Sequence, residues 1–155
     1  MNDGSTTGPK KKVLVVDDDE VILQTLSLKL QGAGYQVVTA SDGSEAVALA
    51  RKDKPDLILL DIAFPPAVDG VPWDGLRIMD WFNRLDSAKE IPIIIITGSE
   101  DPKIWERAAS SRAVAYFRKP IDHDDLLKVV RATLDSNVDV NLPVSTEIAS
   151  PQNRL

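Results

Sequence analysis

Apolar and polar positions along this chain fall into short blocks whose period switches repeatedly between that of a strand and that of a helix. "KVLVV" (Lys12–Val16) reads as a short buried strand. Glu20–Gln31 then carries Ile22, Leu26 and Leu30 on one helical face, with Gly32 and Gly34 as stop signals. "YQVVTA" (Tyr35–Ala40) predicts a second strand, and Asp42 with Glu45 resembles a capping box for a helix through Ala50. "DLILL" (Asp56–Leu60), just after Pro55, has the continuous apolar run of a strand buried on both faces. Leu76–Leu85 places Ile78, Phe82 and Leu85 at helical spacing, and "IPIIIIT" (Ile91–Thr97) is the most apolar strand of all. Asp101 and Pro102 pair an N-cap with a first-turn proline ahead of Ile104 and Trp105. "AVAYF" (Ala113–Phe117) predicts a fifth strand, and Asp122 opens a last helix carrying Leu126, Val130 and Leu134.

Five strands alternating with five helices predict an α/β fold, a doubly wound sheet that is parallel throughout because every crossover is helical. Residues 1–10 are rich in Gly, Ser, Thr and Asn and read as a disordered segment; 11–135 is the domain; 136–155 is polar, broken by proline and aperiodic, a flexible tail. Composition adds limits. A net charge of −6 argues against a nucleic-acid-binding face, and the only basic run, Lys10 to Lys12, reads as a solvated lead-in to the first strand. With no cysteine there is neither a disulfide framework nor a thiolate metal site. No apolar stretch approaches the ~20 residues of a membrane span. The first residues lack the apolar core of a signal peptide, so the cytoplasm is expected.

In such sheets chemistry gathers outside the carboxyl ends of the strands. Strand one ends in Asp17, Asp18 and Asp19, strand three in Asp61, strand four in Thr97, and strand five leads to Lys119 and Pro120. Each has an ordinary structural reading alone, as turn residue, helix cap or loop lysine. Their convergence from separate strands does not. Two carboxylates ~4 Å apart repel by about 4 kcal/mol at an effective dielectric of 20. Gathering Asp17, Asp18 and Asp61 therefore costs stability unless a cation neutralises them. Oxygen ligands without His or Cys favour a hard ion, Mg²⁺ over Zn²⁺. Three carboxylates, one Mg²⁺ and one lysine sum to zero, a site able to accept a phosphoryl group.

These residues resemble the receiver domain of two-component response regulators, in its stand-alone form. "VLVVDDDE" is similar to that family's acidic strand-one motif, "LILLD" to its phosphoacceptor strand, "IIIITG" to its switch strand and "YFRKP" to its Lys-Pro signature, in order over Lys11 to Leu134. The resemblance implies a flavodoxin-like sheet of order 2-1-3-4-5. It implies that Asp61 takes a phosphoryl group from a phosphohistidine, and that Mg²⁺ is held by Asp18, Asp61 and the backbone carbonyl of Ala63, with Asp17 acting through water. It further implies that Lys119 and Thr97 contact phosphoryl oxygens, that Tyr116 rotates inward as the switch aromatic, and that the bond to Pro120 is cis. Ala63 and Ser99 stand where the family tunes hydrolysis, and neither is a large amide or acid able to orient water, so a long-lived phosphorylated state is expected. Asp19 reads as a helix cap, and His123, the only histidine, as an exposed first-turn residue. The implied partners are a sensor histidine kinase or a histidine phosphotransfer protein, with room for a phosphorylation-dependent dimer. No nucleic acid and no membrane are implied.

One alternative shares every site residue, and the others fare worse. A phosphorelay intermediate uses the same residues. An aspartate-nucleophile phosphatase of the haloacid dehalogenase type wants a second Asp at position 63, where Ala stands. A flavin or nucleotide binder of flavodoxin shape needs a Gly- or Ser/Thr-rich loop after strand one, where "DDDE" repels phosphate. A non-phosphorylated pseudo-receiver would lack a key position, and none is missing. One departure remains: Gly70 comes nine residues after Asp61 and Gly75 fourteen, which implies about six extra residues around Ala67–Asp74. Trp73 in that loop would border the site or meet a partner.

Overall fold

A computed structural model describes residues 10–62, 75–86 and 88–135. Five strands and five helices alternate: β1 (Lys12–Val16), α1 (Glu20–Gly32), β2 (Gln36–Ala40), α2 (Gly43–Asp53), β3 (Leu57–Asp61), α3 (Gly75–Arg84), β4 (Ile93–Thr97), α4 (Pro102–Ala109), β5 (Ala115–Arg118) and α5 (His123–Leu134). The strands form one parallel sheet in the order β2-β1-β3-β4-β5, the doubly wound arrangement expected from the alternation.

The sheet divides its apolar residues by parity. Val13, Val15, Leu57, Leu59, Ile94, Ile96 and Phe117 face α1 and α5, where Leu26, Leu30, Leu126 and Val130 meet them. Leu14, Val16, Ile58, Leu60, Ile93 and Ile95 face the other way, onto Ala46, Ala50, Ile78, Phe82 and Ala108 of α2, α3 and α4. All five residues of β3 and of β4 are buried, which explains why their sequences are continuous apolar runs rather than alternating ones.

Caps behave largely as their residue types dictate. The carboxylates of Asp19, Asp42, Asp101 and Asp122 each accept a backbone N–H in the first turn of the helix that follows, so Asp19 is a cap as read from the sequence. The Glu45 carboxylate reaches back to the Ser41 N–H at 2.9 Å, one residue before the cap. Two boundaries differ from expectation. Helix α1 includes Gly32, and Gly34 takes the left-handed turn at φ 102°. Helix α2 runs past Ala50 to Asp53 and stops at Lys54, which is itself left-handed at φ 47°. At the amino end of the sheet, Lys12 and Asp56 are cross-tied. The Asp56 carboxylate accepts the Lys12 N–H at 2.8 Å, and the Asp56 N–H donates to the Lys12 carbonyl at 2.8 Å. That tie sets the β1–β3 register, which in turn puts Asp17 beside Asp61.

Candidate phosphoacceptor site

Register carries the chemistry to one place. Val16 lies beside Leu60, Asp61 beside Ile96, and Thr97 beside Arg118, so the residues leaving β1, β3, β4 and β5 emerge at the same edge. Asp17, Asp61 and Thr97 are the only buried polar or charged residues among those described, at 1%, 3% and 0% exposure. Asp18 points into solvent at the rim. One oxygen from each of Asp17, Asp18 and Asp61 lies within 4.8 Å of the others, a spacing that a single cation could bridge.

Lys119 answers part of that charge. Its Nζ lies 2.8 Å from Asp17 Oδ2 and 3.1 Å from Asp61 Oδ2. The other Asp17 oxygen accepts the Asp19 N–H at 2.9 Å. Burial nevertheless pushes the Asp17 carboxyl up to about 6, against the lowering effect of Lys119 and the Asp19 amide. For Lys119, burial alone would lower the value, but hydrogen bonds and charge from Asp17 and Asp61 outweigh it and the net direction is upward. The lysine thus stays charged, and the acids remain short of positive charge. An all-oxygen donor set with that residual deficit fits a hard divalent ion.

Around this centre the other residues stand as follows. Thr97 Oγ1 accepts the Ser99 N–H at 3.1 Å, so its hydroxyl is engaged in the turn that follows β4. The Lys119 N–H donates to the Thr97 carbonyl at 2.9 Å, and the Lys119–Pro120 bond is cis. Tyr116 is half-buried between the two halves of the core, and its hydroxyl donates to the Ala109 carbonyl at 3.4 Å. Ser99 is partly buried beside the site. His123 is the first residue of α5 and is partly buried rather than exposed as expected. Ala63, Trp73 and the extended loop at 67–74 lie outside the described residues.

One contact was not anticipated. Trp105, buried on α4, donates its indole N–H to the Ser99 carbonyl at 2.9 Å, and the Arg118 guanidinium lies 5.3 Å from its ring centroid. The Arg118 Nε and Nη2 are buried without a hydrogen-bond partner among the described residues. The turn that holds Thr97 is therefore clamped from the α4 side. The only sequence signal was an aromatic on the inner face of α4.

The site is thus an acid cluster bridged by a lysine at the carboxyl edge of a 2-1-3-4-5 parallel sheet, which defines a doubly wound α/β domain with its polar centre at the strand ends. Residues 13–131 match the response regulator receiver domain, and the chain belongs to that family. It is 34% identical to protein PilH of Pseudomonas aeruginosa over 125 residues, 79% of this chain and 97% of that one. It is 30% identical to the polar-differentiation response regulator DivK of Brucella anthropi, across 80% of this chain and 96% of the relative. Among solved structures, the chemotaxis response regulator CheY4 of Vibrio cholerae superposes with a TM-score of 0.70 at 32% identity, covering 81% of this chain and all of that one. No helix among the described residues is long and apolar enough to cross a membrane.

Proposed function

We propose that Asp61 is the phosphoacceptor of this receiver, taking a phosphoryl group from a phosphohistidine on a sensor kinase or a histidine phosphotransfer protein. The observation that carries this is the Lys119 ammonium held between two buried carboxylates, Asp17 and Asp61. In the transfer an Asp61 oxygen forms the new O–P bond as the P–N bond to the donor imidazole breaks, and the imidazole leaves with its electron pair. Asp17, Asp18 and Asp61, with the carbonyl of Ala63, would hold Mg²⁺. When bound, that ion neutralises charge on the phosphoryl oxygens during in-line transfer.

The chain's own residues do the rest. Lys119 exchanges its contact with Asp61 for a phosphoryl oxygen, so that the incoming charge of about −1.5 to −2 meets a cation already in place. Thr97 turns its hydroxyl from the Ser99 N–H to a second phosphoryl oxygen. Tyr116 gives up its Ala109 contact and follows inward. The α4–β5–α5 face then presents a shifted population to a downstream partner, or to a second phosphorylated copy of the chain. Neither Ala63 nor Ser99 is a large amide or acid able to orient a water, so the acyl phosphate is long-lived. The same residues serve a relay intermediate equally well. A turnover phosphatase is disfavoured by Ala at position 63. Action in the cytoplasm fits a kinase-coupled role.

Incubation with a small acyl phosphate and Mg²⁺ should add a single phosphoryl group, visible by intact mass, and chelation should prevent it. The added mass should persist for minutes after the donor is removed. Multiple turnover of a generic phosphate ester would overturn this function in favour of a phosphatase.

A further inference from the structure

The turn after β4 belongs to a ring of contacts that leaves Thr97 and returns to it. The Ser99 N–H donates to Thr97 Oγ1 at 3.1 Å, and the Ser99 carbonyl accepts the Trp105 indole N–H at 2.9 Å. Ser99 Oγ accepts the N–H of Asp101, the cap of α4, at 3.1 Å. All three polar groups of Ser99 are thus engaged, two of them with α4 or its cap. Trp105 is 3% exposed, and the Arg118 guanidinium lies 5.3 Å from its ring centroid. Arg118 is in turn the cross-strand neighbour of Thr97, which closes the ring.

Packing alone would account for a buried indole that satisfies its N–H. It does not account for Arg118. The Nε and Nη2 atoms of that side chain are buried with no acceptor among the described residues, an arrangement that costs stability and that an apolar residue on β5 would avoid. What the arrangement maintains is a cation over the face of Trp105, which keeps the ring from turning its N–H away from Ser99. Thr97 can commit its hydroxyl to a phosphoryl oxygen only when its tie to the Ser99 N–H is released. Ser99 can withdraw only when its carbonyl leaves Trp105. We propose that Trp105, steered by Arg118, is a positioning residue that holds the Thr97 turn in its resting form and so sets how readily a phosphoryl group is accepted. The effect on transfer rests on the reading of Asp61 as phosphoacceptor. Neither residue touches the phosphoryl group: Trp105 acts through Ser99 and Thr97, and Arg118 acts through Trp105. With one net hydrogen bond separating the two forms, loss of the latch raises the accepting fraction about 5-fold.

Trp105→Phe keeps a ring beneath Arg118 and removes the N–H. In the full chain without a phosphoryl donor, amide exchange at Ser99, read by NMR, should quicken about 5-fold. With a small acyl phosphate and Mg²⁺, the initial labelling rate by intact mass should rise by about the same factor. A ring that merely fills space would lower the thermal midpoint and leave both rates unchanged. Phe leaves a gap at a buried position, so Arg118→Met serves as a second probe. It keeps a side chain over the ring without the charge and should hasten labelling about 2-fold. In the Trp105→Phe background it should add nothing, and an additive effect there overturns the role given to Arg118. Wild-type rates of exchange and labelling in both variants, or slower labelling of Trp105→Phe, overturn the proposal. A wild-type chain that takes no label overturns the phosphoacceptor reading and with it the effect on transfer. The exchange rate at Ser99 still decides whether Trp105 holds the turn.

Discussion

At Asp17 the energetics and the role oppose one another. Its carboxyl is 1% exposed and titrates near 6 rather than at the ordinary 3.8. Because the folded-state value is the higher, the folded protein holds this proton more tightly than the unfolded chain does. The associated stability is complete below pH 3.8 and is lost as pH rises through about 6, at most about 3 kcal/mol in metal-free protein. Chemical denaturation without metal at pH 5 and pH 7 should show that decline. Asp17→Asn should flatten it and raise stability at pH 7 by about 1–2 kcal/mol, while abolishing phosphorylation. Lys119→Met should act in the opposite sense on stability, by about 1–3 kcal/mol, since it strands two buried carboxylates. The convergence of Asp17, Asp61, Thr97 and Lys119 was legible in the sequence, because parallel topology brings strand ends together whatever the side chains do. That Lys119 bridges both acids was not, nor the clamp of Trp105 on Ser99. Both depend on which way a long side chain turns, and residue order carries no record of that.

At the level of elements, burial and capping decide. Leu59 is fully buried in β3, two residues before Asp61, and Leu59→Ala should cost about 2–5 kcal/mol by urea denaturation. Asp101 caps α4 through the Lys103 N–H at 2.9 Å, so Asp101→Ala should cost about 1 kcal/mol. The periodicity located all ten elements, because hydrophobic spacing reports directly on which face is covered. Their ends were harder. Strand β5 was expected to begin at Ala113 but begins at Ala115. The reason lies in Arg112, which donates to the carbonyls of Ile91 at 2.7 Å and Ala88 at 3.1 Å and also bonds Asn83. Those bonds hold the chain in a turn until Val114 reaches the Ile93 carbonyl at 2.8 Å. Apolar residues at 113 and 114 looked like strand because nothing local announces that a distant loop will capture Arg112.

For the molecule as a whole, an under-neutralised acid cluster should make stability depend on the cation. Millimolar Mg²⁺ should raise the thermal midpoint of the wild-type chain by a few degrees at pH 7.5, through preferential binding to the folded state. The rise should shrink below pH 6, where Asp17 takes up its proton, and should vanish in Asp17→Asn. A differential scanning series across pH checks both. The central claim, that the acid ending β3 is the nucleophile, is tested most directly by locating the modification. The phosphorylated chain is reduced with borohydride, which converts an aspartyl phosphate to homoserine, then digested and sequenced by mass spectrometry. Homoserine should appear at position 61 alone, and Asp61→Asn should remain unlabelled under the same conditions. Homoserine at position 17 or 18, or persistent labelling of Asp61→Asn, would contradict the account.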